Sequence, residues 1–248
     1  MYRFIVRYAL LLLLLCVGST GATDTTASLN GQTVVLLHGL ARGADSMSKM
    51  AHALEAQGYQ VCNIAYPSRD YPVEVLADRF VAPAIRVCTS GPDRTVHFVT
   101  HSLGGIVLRQ LAATDPAIHI GRVVMLSPPN HGSEVVDRLG SLTLFELING
   151  PAGNQLGTGE GSLPNRLGPA DFDLGIITGT RSVNPILSLL IPGTDDGKVS
   201  TQRATLQGMK DFLLLPASHT FIMKNSRAIE QTLRFIRTGA FDHTATTA

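Results

Sequence analysis

Six short runs of branched and leucine-rich residues recur along the chain, with helical patterns between most of them. Residues 32–39 (QTVVLLHG), 59–67 (YQVCNIAYP), 94–100 (RTVHFVT), 121–129 (GRVVMLSPP), 172–179 (FDLGIITG) and 212–216 (FLLLP) have strand length, and several close on glycine or proline. Their apolar residues are nearly continuous rather than alternating, as in strands covered on both faces. Between them, residues 46–58 set Met47, Met50, Ala51 and Leu54 at helical spacing and stop at Gly58. Residues 72–88 read as a helix kinked or divided at Pro83. A further helix spans 103–114, and the last, 220–236, gathers Ile222, Ile229, Leu233 and Ile236 on one face. Such alternation predicts an α/β fold, a mostly parallel sheet of about six strands with helices on both faces.

The rhythm fails between Gly132 and Asp171, where glycine, proline and asparagine accumulate (NGPAGNQLGTGEGS). An irregular insertion is expected over 132–171, either a short lid-like rim over a site or an inert surface loop. The tail after Phe241 is polar and expected to fray.

The beginning of the chain reads as an address rather than as structure. Arg3 and Arg7 precede an apolar run from Ala9 to Val17, and Thr20 and Ala22 suit cleavage before Thr23. A signal peptide over 1–22 is expected, leaving one domain over 23–248 that is exported to the periplasm or secreted. The run is short for a membrane span, but an uncleaved anchor is the rival reading. Leu15 is bulky for a lipoprotein site at Cys16. Cleavage would remove Arg3 and Arg7 and no acid, taking the formal charge from +1 to −1. With no Lys/Arg stripe, no Trp and few aromatics, nucleic acid is not an expected partner. Cys62 and Cys88 would remain, either as a disulfide or as two buried thiols. There is no CxxC and no HExxH, so neither metal nor cofactor is expected.

Chemistry concentrates in THSLGGIVLR, residues 100–109, where a serine stands between a strand and a helix amid glycines. One explanation is a tight packing turn. The other is an elbow that presents Ser102 as a nucleophile, with Gly104 and Gly105 letting the helix pack closely and the Leu103 N–H facing a developing oxyanion. A serine needs a base, and the base a carboxylate, in the chain order Ser, Asp/Glu, His. His219, in PASH between the last strand and the last helix, is the candidate base; His119, His131 and His243 fit the order or position less well. The acid would come from IPGTDDGKVS, with Asp196 favoured over Asp195, although Asp-Gly also makes ordinary turns. His38-Gly39 ends the first strand, so the Leu40 N–H is the second candidate oxyanion donor and His38 a structural residue. His101 and the glycines would support the elbow.

LLHGL, THSLGG, SPPNHGS, DDGKVS and SHTFIM, in that order from about Val34 to Phe235, resemble the α/β-hydrolase superfamily, and more closely its small bacterial esterase and lipase branch. The resemblance implies Ser102 as nucleophile, Asp196 as acid, His219 as base and Leu40 and Leu103 as oxyanion donors. It favours Asp196 further, because similar lipases carry the acid in an Asp-Gly pair some two dozen residues before the histidine. Thr100 departs from the glycine common at the start of the elbow. The expected activity is carboxylic-ester hydrolysis through an acyl-enzyme, without cofactor, on a small-molecule or lipid ester and with contact to a lipid surface as one expectation. Acyl transfer by the same residues and a non-catalytic binding role are the alternatives. Leu40, Leu142, Leu144, Phe145 and Leu147 are candidates for an acyl pocket, or equally for packing.

Overall fold

The computed structural model describes residues 32–89, 95–140 and 143–244, the side chains of 143–148 excepted. The expected signal segment therefore lies outside the described residues. Six strands, β1 (Thr33–Leu37), β2 (Gln60–Ile64), β3 (Val96–His101), β4 (Ile120–Leu126), β5 (Asp173–Gly179) and β6 (Asp211–Leu215), form one sheet in the order 2-1-3-4-5-6. Every pairing is parallel. Alternate side chains of each strand feed two cores. Val34, Leu36, Val99 and Ile177 pack under α1 (Ser48–Glu55) and the final helix; Val35, Leu37, Phe98 and Ile176 pack under the central helices.

The helical run over residues 73–88 shows how the chain accommodates Pro83. Short α2 (Val73–Val75) passes through a widened π-turn, Leu76–Val81, into α3 (Ala82–Cys88). Proline has no N–H to donate and its ring would strike the carbonyl four residues back, so the turn before it opens. Cys88 then reaches back to β2, joined by a disulfide to Cys62. Helix α4 (Leu103–Thr114) follows β3 directly.

The segment 132–171 is not the irregular insertion that its composition suggested. It contains α5 (Glu134–Leu139), α6 (Thr143–Asn154), which breaks at Gly150, and α7 (Leu163–Arg166). Val135, Ala152, Leu156 and Leu163 are buried, and that burial outweighs poor local propensity. Gly150 (φ 65°) is placed where a side chain would overlap the Arg69 carbonyl. Short α8 (Pro185–Ser188) and α9 (Thr201–Ala204) follow β5. The last helix, α10 (Ser226–Thr238), starts later than its apolar pattern implied, because Asn225 caps it by accepting the N–H groups of Arg227 and Ala228.

From β1 the chain moves to one sheet edge, then returns to the other side of β1 as β3. The crevice at the carboxyl ends of β1 and β3 is therefore the topological switch point, where open parallel sheets take ligands.

Candidate active site

Ser102 follows β3 with φ 51° and ψ −120°, a conformation that a side-chain-bearing residue holds only under constraint. Its N–H is fixed to the Leu126 carbonyl at 2.9 Å, and α4 begins at the next residue. Gly104 makes that start possible, since a Cβ there would lie 2.5 Å from the Leu37 carbonyl oxygen. The elbow's departure at Thr100 is accommodated from the other side of the turn. Thr100 is fully buried, and the Cβ missing from Gly105 would stand 3.4 Å from its hydroxyl.

His219 Nε2 lies 3.0 Å from Ser102 Oγ, and its Nδ1 lies 2.9 Å from Asp196 Oδ2. The other Asp196 oxygen accepts the N–H groups of Lys198 (3.0 Å) and Val199 (2.9 Å), and its carbonyl accepts the His219 N–H at 2.9 Å. Burial works to raise the Asp196 pKa, but the charge and hydrogen bond of His219, the Ser127 hydroxyl and the Val199 N–H outweigh it and hold the carboxyl below 3.8. Asp195 does the turn-making instead, accepting Ser188 Oγ and the Gly197 N–H, both at 2.7 Å. The other histidines stand elsewhere: His131 contacts Asn165 Oδ1 and His243 contacts Asp211 Oδ1.

His101 is buried behind His219. Its Nε2 donates to the His219 carbonyl at 3.0 Å, while its Nδ1 has no partner among the described residues. Burial, then the neighbouring His219, push its pKa well below 6.5, so the ring is a neutral strut. Gly39 crosses in front of it, where a Cβ would come within 2.7 Å of His101 Nδ1.

The loop after β1 is braced from its far side. His38 stacks on Tyr66 with ring centroids 4.1 Å apart. His38 Nε2 accepts the Tyr66 N–H at 3.3 Å, which leaves Nδ1 to donate to the Gly39 carbonyl at 2.9 Å; the Tyr66 hydroxyl donates to the His38 carbonyl. Ala41, at φ 55°, donates its N–H to Ser68 Oγ. Among the described residues nothing accepts the Leu40 N–H, and Leu103, as first residue of α4, has no carbonyl within the helix to bond.

A cleft of about 300 Å³ opens on Ser102 and His219. Leu40 lines it, as do Val135, Val136, Leu139 and Leu156 from the insertion and Leu187 from α8. The side chains of Leu142, Leu144, Phe145 and Leu147 lie outside the described residues. No cluster of potential metal ligands occurs among the described residues. Sequence reasoning missed several supports. Ser127 stands near the Asp196 carboxylate; Ser133 Oγ donates to the Lys198 carbonyl at 2.6 Å. Arg109 of α4, with its pKa pushed down to about 10 by burial, bonds the carbonyls of Asn130, Pro164 and Gly168 and so ties the insertion to the elbow helix. Ser127 and Ser133 open and close the SPPNHGS motif and Arg109 ends THSLGGIVLR, but residue type alone gave none of them a role.

The profile of the Alpha/beta hydrolase family matches residues 34–229. Among solved structures, the fold superposes on a lipase of Bacillus licheniformis in its mature form with a TM-score of 0.68 at 19% identity, covering 83% of this chain and 91% of that one. Phospholipase PlaB from Legionella pneumophila gives 0.65 at 18% identity, with 85% of this chain and 60% of the phospholipase covered. A metagenomic carboxyl esterase gives 0.57 at 20% identity over 83% and 71%. No curated protein matches the sequence.

Proposed function

The chain belongs to the α/β-hydrolase family, and from that premise we propose that it is an exported serine hydrolase that cleaves carboxylic esters with Ser102, Asp196 and His219. The observation that carries the reading is the unbroken line from Ser102 Oγ through both His219 nitrogens to an ionised, buried Asp196. His219 Nε2 takes the hydroxyl proton as Oγ attacks the acyl carbon, and Asp196 steadies the imidazolium through Nδ1. The N–H groups of Leu40 and Leu103 receive the oxyanion; losing one such donor costs about 10²–10³ in rate. His219 then returns the proton to the leaving alcohol, and water repeats the cycle on the acyl-enzyme.

The apolar cleft wall favours an acyl chain. Contact with a lipid surface is supported by Val183, Ile186 and Leu189, 61%, 73% and 84% exposed on either side of Leu187, which lines the cleft. Replacing Ile186 and Leu189 with aspartate is expected to lower binding to phospholipid vesicles, measured by co-sedimentation; undiminished binding would remove this part of the reading. Export draws support from the Cys62–Cys88 disulfide, since such bonds persist in oxidising compartments. Mass spectrometry of the exported protein is expected to find Thr23 at its N-terminus.

The central test is hydrolysis of p-nitrophenyl esters from acetyl to palmitoyl by the wild type and Ser102→Ala. Turnover that collapses in the variant supports the reading, and the best acyl length separates esterase from lipase. Equal rates in the two proteins, or none in either, would overturn it.

A further inference from the structure

The cleft carries two cations that the ester chemistry does not use. Arg42 lies two residues beyond Leu40 on the loop after β1, and Lys198 two residues beyond Asp196 on the loop after β5. Both line the cavity that contains Ser102. Neither forms an ion pair with an acidic side chain among the described residues. The carboxylate that acts on Lys198 is Asp196, and its oxygens are already taken by His219 and by two backbone N–H groups. Although Lys198 emerges at the surface, crowding of its amine by burial and then the charge of Arg42 push its pKa down against the pull of Asp196. Two like charges held over one cleft repel until an anion enters between them, and a cleft lined by one sign of charge concentrates its counter-ion. The same cleft is also lined by the apolar side chains of Val135, Val136, Leu139 and Leu156. A ligand that satisfies both kinds of lining has an apolar portion and an anionic group.

We propose that Arg42 and Lys198 form an anion subsite beside Ser102, so that the preferred ester carries a carboxylate or phosphate near its scissile bond. This specifies the substrate class of the ester-hydrolase reading and rests on it. The anion could be borne by the acyl part or by the alcohol part, and three glycerol esters distinguish these. Glycerol monobutyrate is neutral, glycerol monosuccinate carries an acyl-side carboxylate, and butyryl glycerol phosphate carries an alcohol-side phosphate.

The test is calorimetric titration of Ser102→Ala protein, which binds without turnover, with each ester at low and high salt. One anionic ester is expected to bind about tenfold tighter than the neutral one, an advantage that high salt erodes. Adding Arg42→Gln and Lys198→Gln together is expected to bring the ratio near one, and each alone to lower it. Because the readout is a ratio, general damage to the cleft cancels. Equal binding of all three esters, no binding, or an advantage that survives the double substitution and high salt would overturn the subsite. Wild-type turnover of the neutral ester tests the hydrolase reading separately. Hydrolysis without anion preference would sink the subsite alone, while Arg42- and Lys198-dependent binding without any hydrolysis would sink the hydrolase reading alone.

Discussion

Neighbouring strands β3 and β4 end in the same backbone device and put it to opposite uses. Ser102 follows β3 at φ 51° and Ser127 follows β4 at φ 49°. Each serine N–H bonds a carbonyl of the next strand, Ser102 to Leu126 at 2.9 Å and Ser127 to Ile177 at 2.8 Å. The residues after the two serines differ. Leu103-Gly104-Gly105 opens a helix, supplies a free N–H and lets the backbone pass close to Leu37, so the Ser102 hydroxyl faces the cleft. Pro128-Pro129 has no N–H to offer and opens no helix, and Ser127 is sealed at 0% exposure. Its hydroxyl makes no hydrogen bond of ordinary geometry, yet it stands near enough to Asp196 to help keep that carboxyl ionised. A strained serine at a strand end is thus not by itself a candidate nucleophile; the residues that follow the two serines differ, and of the two only Ser102 lines the cleft.

The widest separation between the two serines should appear on replacing Ser102 with alanine. That change is expected to lower kcat on p-nitrophenyl butyrate by about 10⁵–10⁶ without lowering the denaturation midpoint. A loss under tenfold would erase the distinction. Asp196→Asn, which leaves His219 in the wrong tautomer, is expected to cost about 10⁴ in kcat, and the same assay checks it. Gly104→Ala probes why only one strand end becomes an elbow. With a Cβ 2.5 Å from the Leu37 oxygen, urea denaturation should show a loss of about 2–3 kcal/mol; an unchanged midpoint would show that the close approach is dispensable.

The residues before the serines, His101 and Leu126, are cross-strand partners of unlike chemistry. Burial holds His38, His97 and His101 below 6.5, so an unfolded chain takes up protons near that pH that the folded chain refuses. Stability therefore rises with pH in this window and falls as pH drops below about 6.5, with a slope set by the protons that these folded rings refuse. His101→Gln is expected to reduce that slope by about one proton in denaturation midpoints measured between pH 5 and 7. An unaltered slope would mean that His101 does not carry its share. The smallest effect belongs to Ser127→Ala. Losing one hydroxyl near the carboxylate should cost kcat about fivefold, the worth of roughly 1 kcal/mol, with little change in KM. A loss as large as that of Ser102→Ala would make the two strand ends equivalent after all.

Much of this is legible in the sequence. Strand-length apolar runs with helices between them dictate a parallel sheet, because such strands must be covered on both faces and joined by crossovers. Glycines beside a strand-end serine, and an aspartate and a histidine in the right order, mark Ser102, Asp196 and His219 as candidates, since local chemistry of this kind follows residue type and chain order. Other features exist only through contacts between distant segments. The helices of 132–171 form because Val135, Leu156 and Leu163 find a surface to bury against, despite a composition that argues for a loop. Asp195 and Asp196 are neighbours of identical type, and only the packing of the loop after β5 turns one toward Ser188 and the other toward His219. Arg42 and Lys198 lie more than 150 residues apart yet share one cleft. Periodicity and residue type are written along the chain, so the fold and the candidate reacting groups could be read there; facing, burial and the meeting of remote charges depend on how the loops close over the sheet, and no local pattern encodes that.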